Sequence, residues 1–134
     1  MKISYAITAW NEHKELDALL SHLICKKRKQ DEIVVQTDNG KTTPEVYDVL
    51  EKFDGKTMHS DYHHYSHPLD KNFAQYKNKL NSSCTGDWIF QIDADELPNE
   101  YLIQALPFIL EANPDTEAYW LPRVNTVAGI TDTH

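Results

Sequence analysis

Positive charge is in short supply in this sequence. Its 134 residues carry 13 lysines and arginines against 21 aspartates and glutamates, for a formal net charge of −8. Nucleic acid and anionic lipid are both drawn to basic surfaces, so this balance argues against either as a partner. An anionic small molecule held locally by a metal ion remains compatible with it. Cysteine is also scarce. Cys25 and Cys84 stand far apart and form no Cys-x-x-Cys spacing, which predicts free thiols in a reducing, cytoplasmic setting. No apolar run approaches membrane-spanning length, and residues 1–8 lack the basic-then-apolar layout of a signal peptide. Internal repeats and long linkers are missing too, so one domain over residues 1–134 is expected. The 40% hydrophobic content is enough for a packed core.

Hydrophobic periodicity supplies the order of elements. Residues 3–8 form a short apolar run that reads as a buried strand. Leu16, Leu19, Leu20, Leu23 and Ile24 recur at helical spacing, and the basic run 26–29 follows where a helix dipole favours cations. Residues 33–35 read as a second strand. Thr43 is placed to cap a helix that starts at Pro44, with Val46, Val49, Leu50 and Phe53 as its apolar stripe and Gly55 as its stop. Residues 56–60 read as a weak strand and 61–69 as a loop. Phe73, Tyr76 and Leu80 mark a third helix, and residues 88–92 are the clearest strand of all. Leu102, Ala105, Leu106, Ile109 and Leu110 mark a fourth helix, in which Pro107 predicts a kink or a division into two short helices. Residues 118–121 read as a last strand. Such alternation predicts an α/β fold, a Rossmann-like and mainly parallel sheet with helices on both faces.

Ligands of such sheets bind beyond the carboxyl ends of the strands. That rule selects three segments: 8–12, 36–40 and 93–96. The third is the most telling. Asp93, Asp95 and Glu96 set three carboxylates within four residues at a strand end, where they repel one another. A divalent cation relieves that repulsion, and hard oxygen ligands suit Mg²⁺ or Mn²⁺, ions that commonly bridge carboxylates to substrate phosphates. The competing reading is an acidic turn that caps the next helix.

The run from Gly86 to Glu96, Gly-Asp-Trp-Ile-Phe-Gln-Ile-Asp-Ala-Asp-Glu, resembles the Asp-x-Asp segment of family 2 glycosyltransferases of the GT-A fold. Ala6-Ile7-Thr8-Ala9-Trp10-Asn11-Glu12 is similar to that family's opening strand, and Phe73-Ala74-Gln75-Tyr76-Lys77-Asn78 to its stretch ending in Arg/Lys-Asn. The resemblance implies a metal-dependent glycosyltransferase, built on the nucleotide-sugar-binding half of the fold. It implies that Asp93 approaches the ribose and the metal, with Ala94 beside it in the donor-binding set. Asp95 would bind the Mn²⁺ or Mg²⁺ that holds the donor diphosphate. Thr8, Ala9, Trp10 and Asn11 would line the base and ribose pocket, and Lys77 and Asn78 would face the donor. The family's second strand usually ends in Asp-Asp-Gly-Ser, where this sequence has Gln36-Thr37-Asp38-Asn39-Gly40. Either Gln36 or Asp38 could read the base, and Gln36 can both donate and accept against a uracil edge. A UDP-sugar is therefore the expected donor, and a glycan or other hydroxyl compound the acceptor.

Family members usually continue through an acceptor region, so within residues 1–134 that region is expected to be largely absent. No residue stands out as the catalytic base. Two alternatives follow: a nucleotide-sugar-binding module without efficient transfer, or a homodimer in which one subunit completes its neighbour's site. A nucleotidyltransferase would need a glycine-rich loop after the first strand, and Ala9-Trp10-Asn11-Glu12 is not one. His59, His63, His64 and His67 read as exposed loop histidines rather than a zinc site, since no cysteine accompanies them. Trp88 and Trp120 are expected in the core, and Trp10 as a pocket wall.

Overall fold

In a computed structural model of the protein, the described residues are 1–54, 62–69 and 72–113, together with the short strands Thr126–Val127 and Ile130–Thr131. Four parallel strands form the main sheet: β1 (Ile3–Ala9), β2 (Glu32–Asp38), β3 (Tyr62–His67) and β4 (Trp88–Asp93), in the spatial order β3-β2-β1-β4. Helices α1 (His13–Lys26), α2 (Pro44–Asp54), α3 (Phe73–Ser82) and α4 (Glu100–Ala112) alternate with them along the chain. The two remaining strands, β5 (Thr126–Val127) and β6 (Ile130–Thr131), pair antiparallel with each other.

The central strands β1 and β2 are buried at every position, as expected for a parallel sheet covered on both faces. One face carries Ile3, Tyr5, Ile7, Ile33 and Val35. They pack with Leu16, Leu19, Leu20 and Leu23 of α1, Val46, Leu50 and Phe53 of α2, and Ile103, Leu106 and Leu110 of α4. The other face has a smaller cluster, in which Ala6 and Val34 meet Leu80 of α3 with Cys84 beside it. Trp88 is only half-buried, packed against the rim of the larger core, because β4 is an edge strand among the described residues.

Three expectations need correction. Residues 61–69 are not all loop, because Tyr62–His67 pairs in parallel register with β2 from Ile33 to Asp38. Its polar sequence gives no apolar run, but an edge strand needs only one well-covered side, and β2 provides its hydrogen-bond partners. Nor does Pro107 divide α4, which runs as a single helix. The proline removes only the bond its own N–H would have made to the carbonyl of Ile103, and its buried ring adds contact with the core. The capping expected of Thr43 takes a different form as well. Its carbonyl accepts from the Val46 N–H, while its buried Oγ1 has no hydrogen-bond partner among the described residues. Gly55, His59, Trp120, His134 and the strands expected at 56–60 and 118–121 lie outside the described residues.

At the amino-terminal end of the sheet the polar groups are closed in on themselves. Glu32, only 1% exposed, accepts hydrogen bonds from Ser4 Oγ at 2.6 Å, Thr85 N at 2.7 Å and Thr85 Oγ1 at 3.0 Å, and lies 3.4 Å from Lys2 Nζ. Burial pushes its pKa up, but these donors and the lysine outweigh that and hold it below the ordinary value. Gly86 runs so close to β1 that an added Cβ would lie 2.6 Å from Ser4 Oγ and 2.7 Å from Ser4 N. Only glycine fits there, and its N–H donates to the same Ser4 Oγ. Beside this network, Arg28 grips the buried Asp31 through two bonds of 2.9 Å, and Asp31 in turn accepts from the Ile3 N–H. The basic run after α1 is thus partly tied into the fold.

Candidate functional site

The carboxyl ends of the strands bring distant residues together. The β1–β4 register sets Thr8 opposite Asp93, and Thr8 Oγ1 donates to Asp93 Oδ1 at 3.0 Å. The chain turns immediately afterwards. Ala94, itself buried, donates its N–H to the Thr8 carbonyl at 3.0 Å, and the Glu96 N–H donates to the Asp93 carbonyl at 2.9 Å. Glu96 Oε1 accepts from the Asp93 N–H at 2.8 Å, so this side chain folds back onto the turn. Asp95 is exposed on the outer side of the bend. The three carboxylates therefore do not converge. Among the described residues no group of three histidine, cysteine or carboxylate side chains is arranged to hold a metal ion.

From the opposite side, α3 delivers Lys77. Its Nζ lies 3.4 Å from Asp93 Oδ1, 3.5 Å from Thr8 Oγ1 and 5.5 Å from the centre of the Phe73 ring. The helix can present Phe73 and Lys77 together because they are four residues apart and share a face. Asn72 starts this helix by accepting from the Gln75 N–H. Asn78, one position beyond Lys77, is exposed.

Trp10 lies just past β1. Its ring meets Tyr76 at 6.4 Å with a 27° interplanar angle, and Phe73 at 6.4 Å. Its backbone is held from both sides, with its N–H donating to Glu12 Oε2 and its carbonyl accepting from the Thr43 N–H. Asn11 is exposed and Ala9 is buried in the core. At the end of β2, Gln36 is fully buried and its Nε2 donates to the Tyr76 carbonyl at 2.8 Å. It anchors α3 from beneath. Asp38, 5% exposed, accepts through Oδ1 from the N–H groups of Leu69 and Gly40. It ties the end of β2 to the chain leaving β3. Burial, with Asp38 adding to it, pushes the Tyr76 hydroxyl up to about 12, so it stays protonated.

A cavity of about 260 Å³ opens over β4, lined by Phe73, Lys77, Gln91, Asp93 and Glu96. Phe73 and Gln91 were not singled out from the sequence as site residues. Phe73 fits the apolar stripe of its helix, yet it is 50% exposed. The available signal was Gln91, the one polar residue inside the apolar run 88–92. A larger depression, of about 360 Å³, lies between the end of α1 and α4 and is lined by Lys26, Arg28, Ile103, Gln104, Pro107, Phe108 and Glu111. It sits away from the strands' carboxyl ends, and its charges are paired, Lys26 with Glu100 and Arg28 with Asp31 and Glu111. We do not assign it a ligand.

The histidines of β3 do not form a metal centre. His63 and His67 each stack against Tyr65 along one side of the strand. His64 points to the other side, with Nε2 3.0 Å from Thr37 Oγ1 and its ring edge-on to Tyr47.

The sequence model of the family described as glycosyl transferase family 2 matches residues 4–130. The chain belongs to that family. The fold agrees: the crystal structure of S. aureus TarS 1-349 superposes with a TM-score of 0.71 at 16% identity, covering 92% of this chain and 39% of that one. TarS 1-349 in complex with UDP gives 0.68 at 17% identity, covering 92% and 38%. The chain thus spans about two fifths of the length of these solved relatives. No curated protein sequence matches it. Both family membership and the parallel α/β sheet agree with the expectation drawn from the three sequence motifs.

Proposed function

We propose that the chain is a single GT-A-type domain that binds a nucleotide-sugar donor for glycosyl transfer, with a UDP-sugar preferred. The observation that carries this reading is the meeting of Thr8, Lys77 and Asp93, from three separate segments, at the carboxyl end of a parallel sheet, with Trp10 packed nearby on Phe73 and Tyr76. A structural role alone does not call for a lysine–carboxylate pair beside a cavity at this position. The UDP-bound relative supports uridine as the base. Trp10 and Thr8 would flank the nucleoside, Asp38 would stand at the base, and Lys77 would face the diphosphate.

Asp93 and Asp95 would hold Mn²⁺ or Mg²⁺. The donor set fits such an ion only in part: two hard carboxylates lie on one turn, while Glu96 folds back onto that turn. That is compatible with an ion whose shell is completed by phosphate oxygens and water. When bound, the ion would offset charge on the leaving diphosphate. This chain's own residues would orient the donor and balance its charge. The acceptor remains a glycan or other hydroxyl compound, and no catalytic base is assigned.

Titration calorimetry with UDP and GDP, each with and without Mn²⁺, tests the reading. Micromolar UDP binding that needs the ion and exceeds that of GDP is expected. Absence of UDP binding would overturn the donor reading, and tighter GDP binding would overturn the base preference. Incubation with UDP-sugars, Mn²⁺ and glycan acceptors, followed by mass spectrometry, separates transfer from mere binding or donor hydrolysis.

A further inference from the structure

The cavity over β4 reaches past the residues assigned to the nucleotide: Lys77 and Asp93 stand at its rim with the diphosphate, while Phe73, Gln91 and Glu96 have no part in binding it. The sheet order is β3-β2-β1-β4. Base and nucleoside residues Asp38, Thr8 and Trp10 belong to the ends of β2 and β1. Asp93, where the diphosphate is placed, ends β4. The cavity lies on the β4 side of that point and reaches back along the strand to Gln91. A donor laid across the strand ends in the order base, ribose, diphosphate would therefore bring its next group into this cavity. That group is the sugar.

The lining suits a sugar. Small-molecule pockets usually measure roughly 300–1,000 Å³, and this one, at about 260 Å³, has room for one ring rather than a whole nucleotide-sugar. Phe73 offers an apolar surface for the C–H face of a pyranose, while Gln91 and Glu96 offer amide and carboxylate groups for its hydroxyls. Gln91 interrupts an apolar strand run, is exposed, and sits in register with the fully buried Ala6. Its Nε2 donates to Asn81 Oδ1 at 2.7 Å. That bond fixes the amide, with Oε1 remaining as an acceptor for a hydroxyl. Two fixed polar groups around one ring discriminate among epimers, because a hydroxyl of the wrong orientation leaves a partner unsatisfied.

We infer that Gln91, with Phe73, recognises the hexose of the donor and sets the preference among UDP-sugars. This rests on the donor reading above. The test measures dissociation constants for UDP, UDP-glucose, UDP-galactose and UDP-N-acetylglucosamine with Mn²⁺ present, for the unaltered chain, Gln91→Leu and Phe73→Leu. Thermal unfolding checks that each variant is folded. Gln91→Leu should weaken the best-bound UDP-sugar about fivefold to tenfold, narrow the spread among the three sugars, and leave UDP within twofold. Phe73→Leu should weaken UDP-sugars more than UDP. Equal losses for UDP and UDP-sugars would show that these residues serve the nucleotide, and no loss at all would show that they serve neither. Either result overturns the inference while leaving the donor reading intact. An unaltered chain that binds neither UDP nor any UDP-sugar would overturn the donor reading, and this inference with it.

Discussion

The two ends of the sheet use the same kinds of residue to opposite effect. At the amino-terminal end Glu32 meets Ser4, Thr85 and Lys2 in a closed network, with Gly86 pressed against it. At the carboxyl end Asp93 meets Thr8 and Lys77 beside an open cavity. Each is a carboxylate with a hydroxyl and a lysine. The Glu32 side chain is 2% exposed, whereas the Asp93 side chain is 40% exposed. Pairing alone therefore does not distinguish an enclosed carboxylate from one that a ligand can reach. Access to a cavity does.

Substitutions at the two ends should separate stability from binding. The largest stability effect is expected for Glu32→Ala. It strands Ser4 Oγ and the Thr85 N–H in a buried setting, at a cost of about 3 kcal/mol. Chemical denaturation would read this as a lower midpoint. A variant as stable as the original would mean that the network contributes nothing. Gly86→Ala comes next, at about 2 kcal/mol, because the new methyl must displace Ser4 backbone as well as its side chain. Neither change should alter UDP affinity in protein that remains folded.

Asp95→Ala inverts the pattern. The side chain is exposed, so stability should move by no more than about 0.5 kcal/mol. Metal-dependent UDP binding should fall at least tenfold, about 1.4 kcal/mol. Unchanged UDP affinity with Mn²⁺ present would remove Asp95 from the metal site.

The smallest effect concerns acid. Burial lowers the His64 pKa below its ordinary 6.5, with Asp54 opposing the shift. The unfolded chain then takes up the proton first, so the contribution of neutral His64 is complete above pH 6.5 and declines as pH falls below it. Glu32, also lowered, from 4.5, keeps its contribution above that value and loses it as pH drops through its folded pKa. Denaturation midpoints against pH should show a slight first decline that His64→Gln removes, followed by a steeper one that it does not. A midpoint that rises on acidification between these values would reverse the sign and refute the assignment.

How much was legible varied with the kind of information each part needs. The run 3–8 and the leucine stripe of α1 announced themselves, because burial on both faces of a parallel strand or on one face of a helix demands apolar residues at fixed spacing. The run 88–92 was as easily read from its apolar residues, although only one face of β4 packs on the core. β3 did not, because Tyr-His-His-Tyr-Ser-His gains its place from pairing with β2 rather than from its own pattern. The division expected at Pro107 failed for a related reason. A local rule gives the cost of the missing hydrogen bond, while the packing that tolerates it is tertiary. Within the candidate site, Asp93, Thr8 and Lys77 could be singled out from motif and position. Phe73 and Gln91 were not, since an apolar helix residue and an amide in a strand look alike whether they face a core or a cavity.

The sequence by itself therefore determined the α/β alternation, the family, and the acidic turn that closes β4. Each of these is written in local spacing or in a contiguous motif. Only the tertiary structure decided which carboxylate is enclosed and which faces a cavity, that Glu96 folds back onto the turn instead of joining Asp93 and Asp95, and that Gln36 lies beneath Tyr76. Those outcomes depend on strand register and on where α3 lies over the sheet, and both are set by contacts between residues dozens of positions apart.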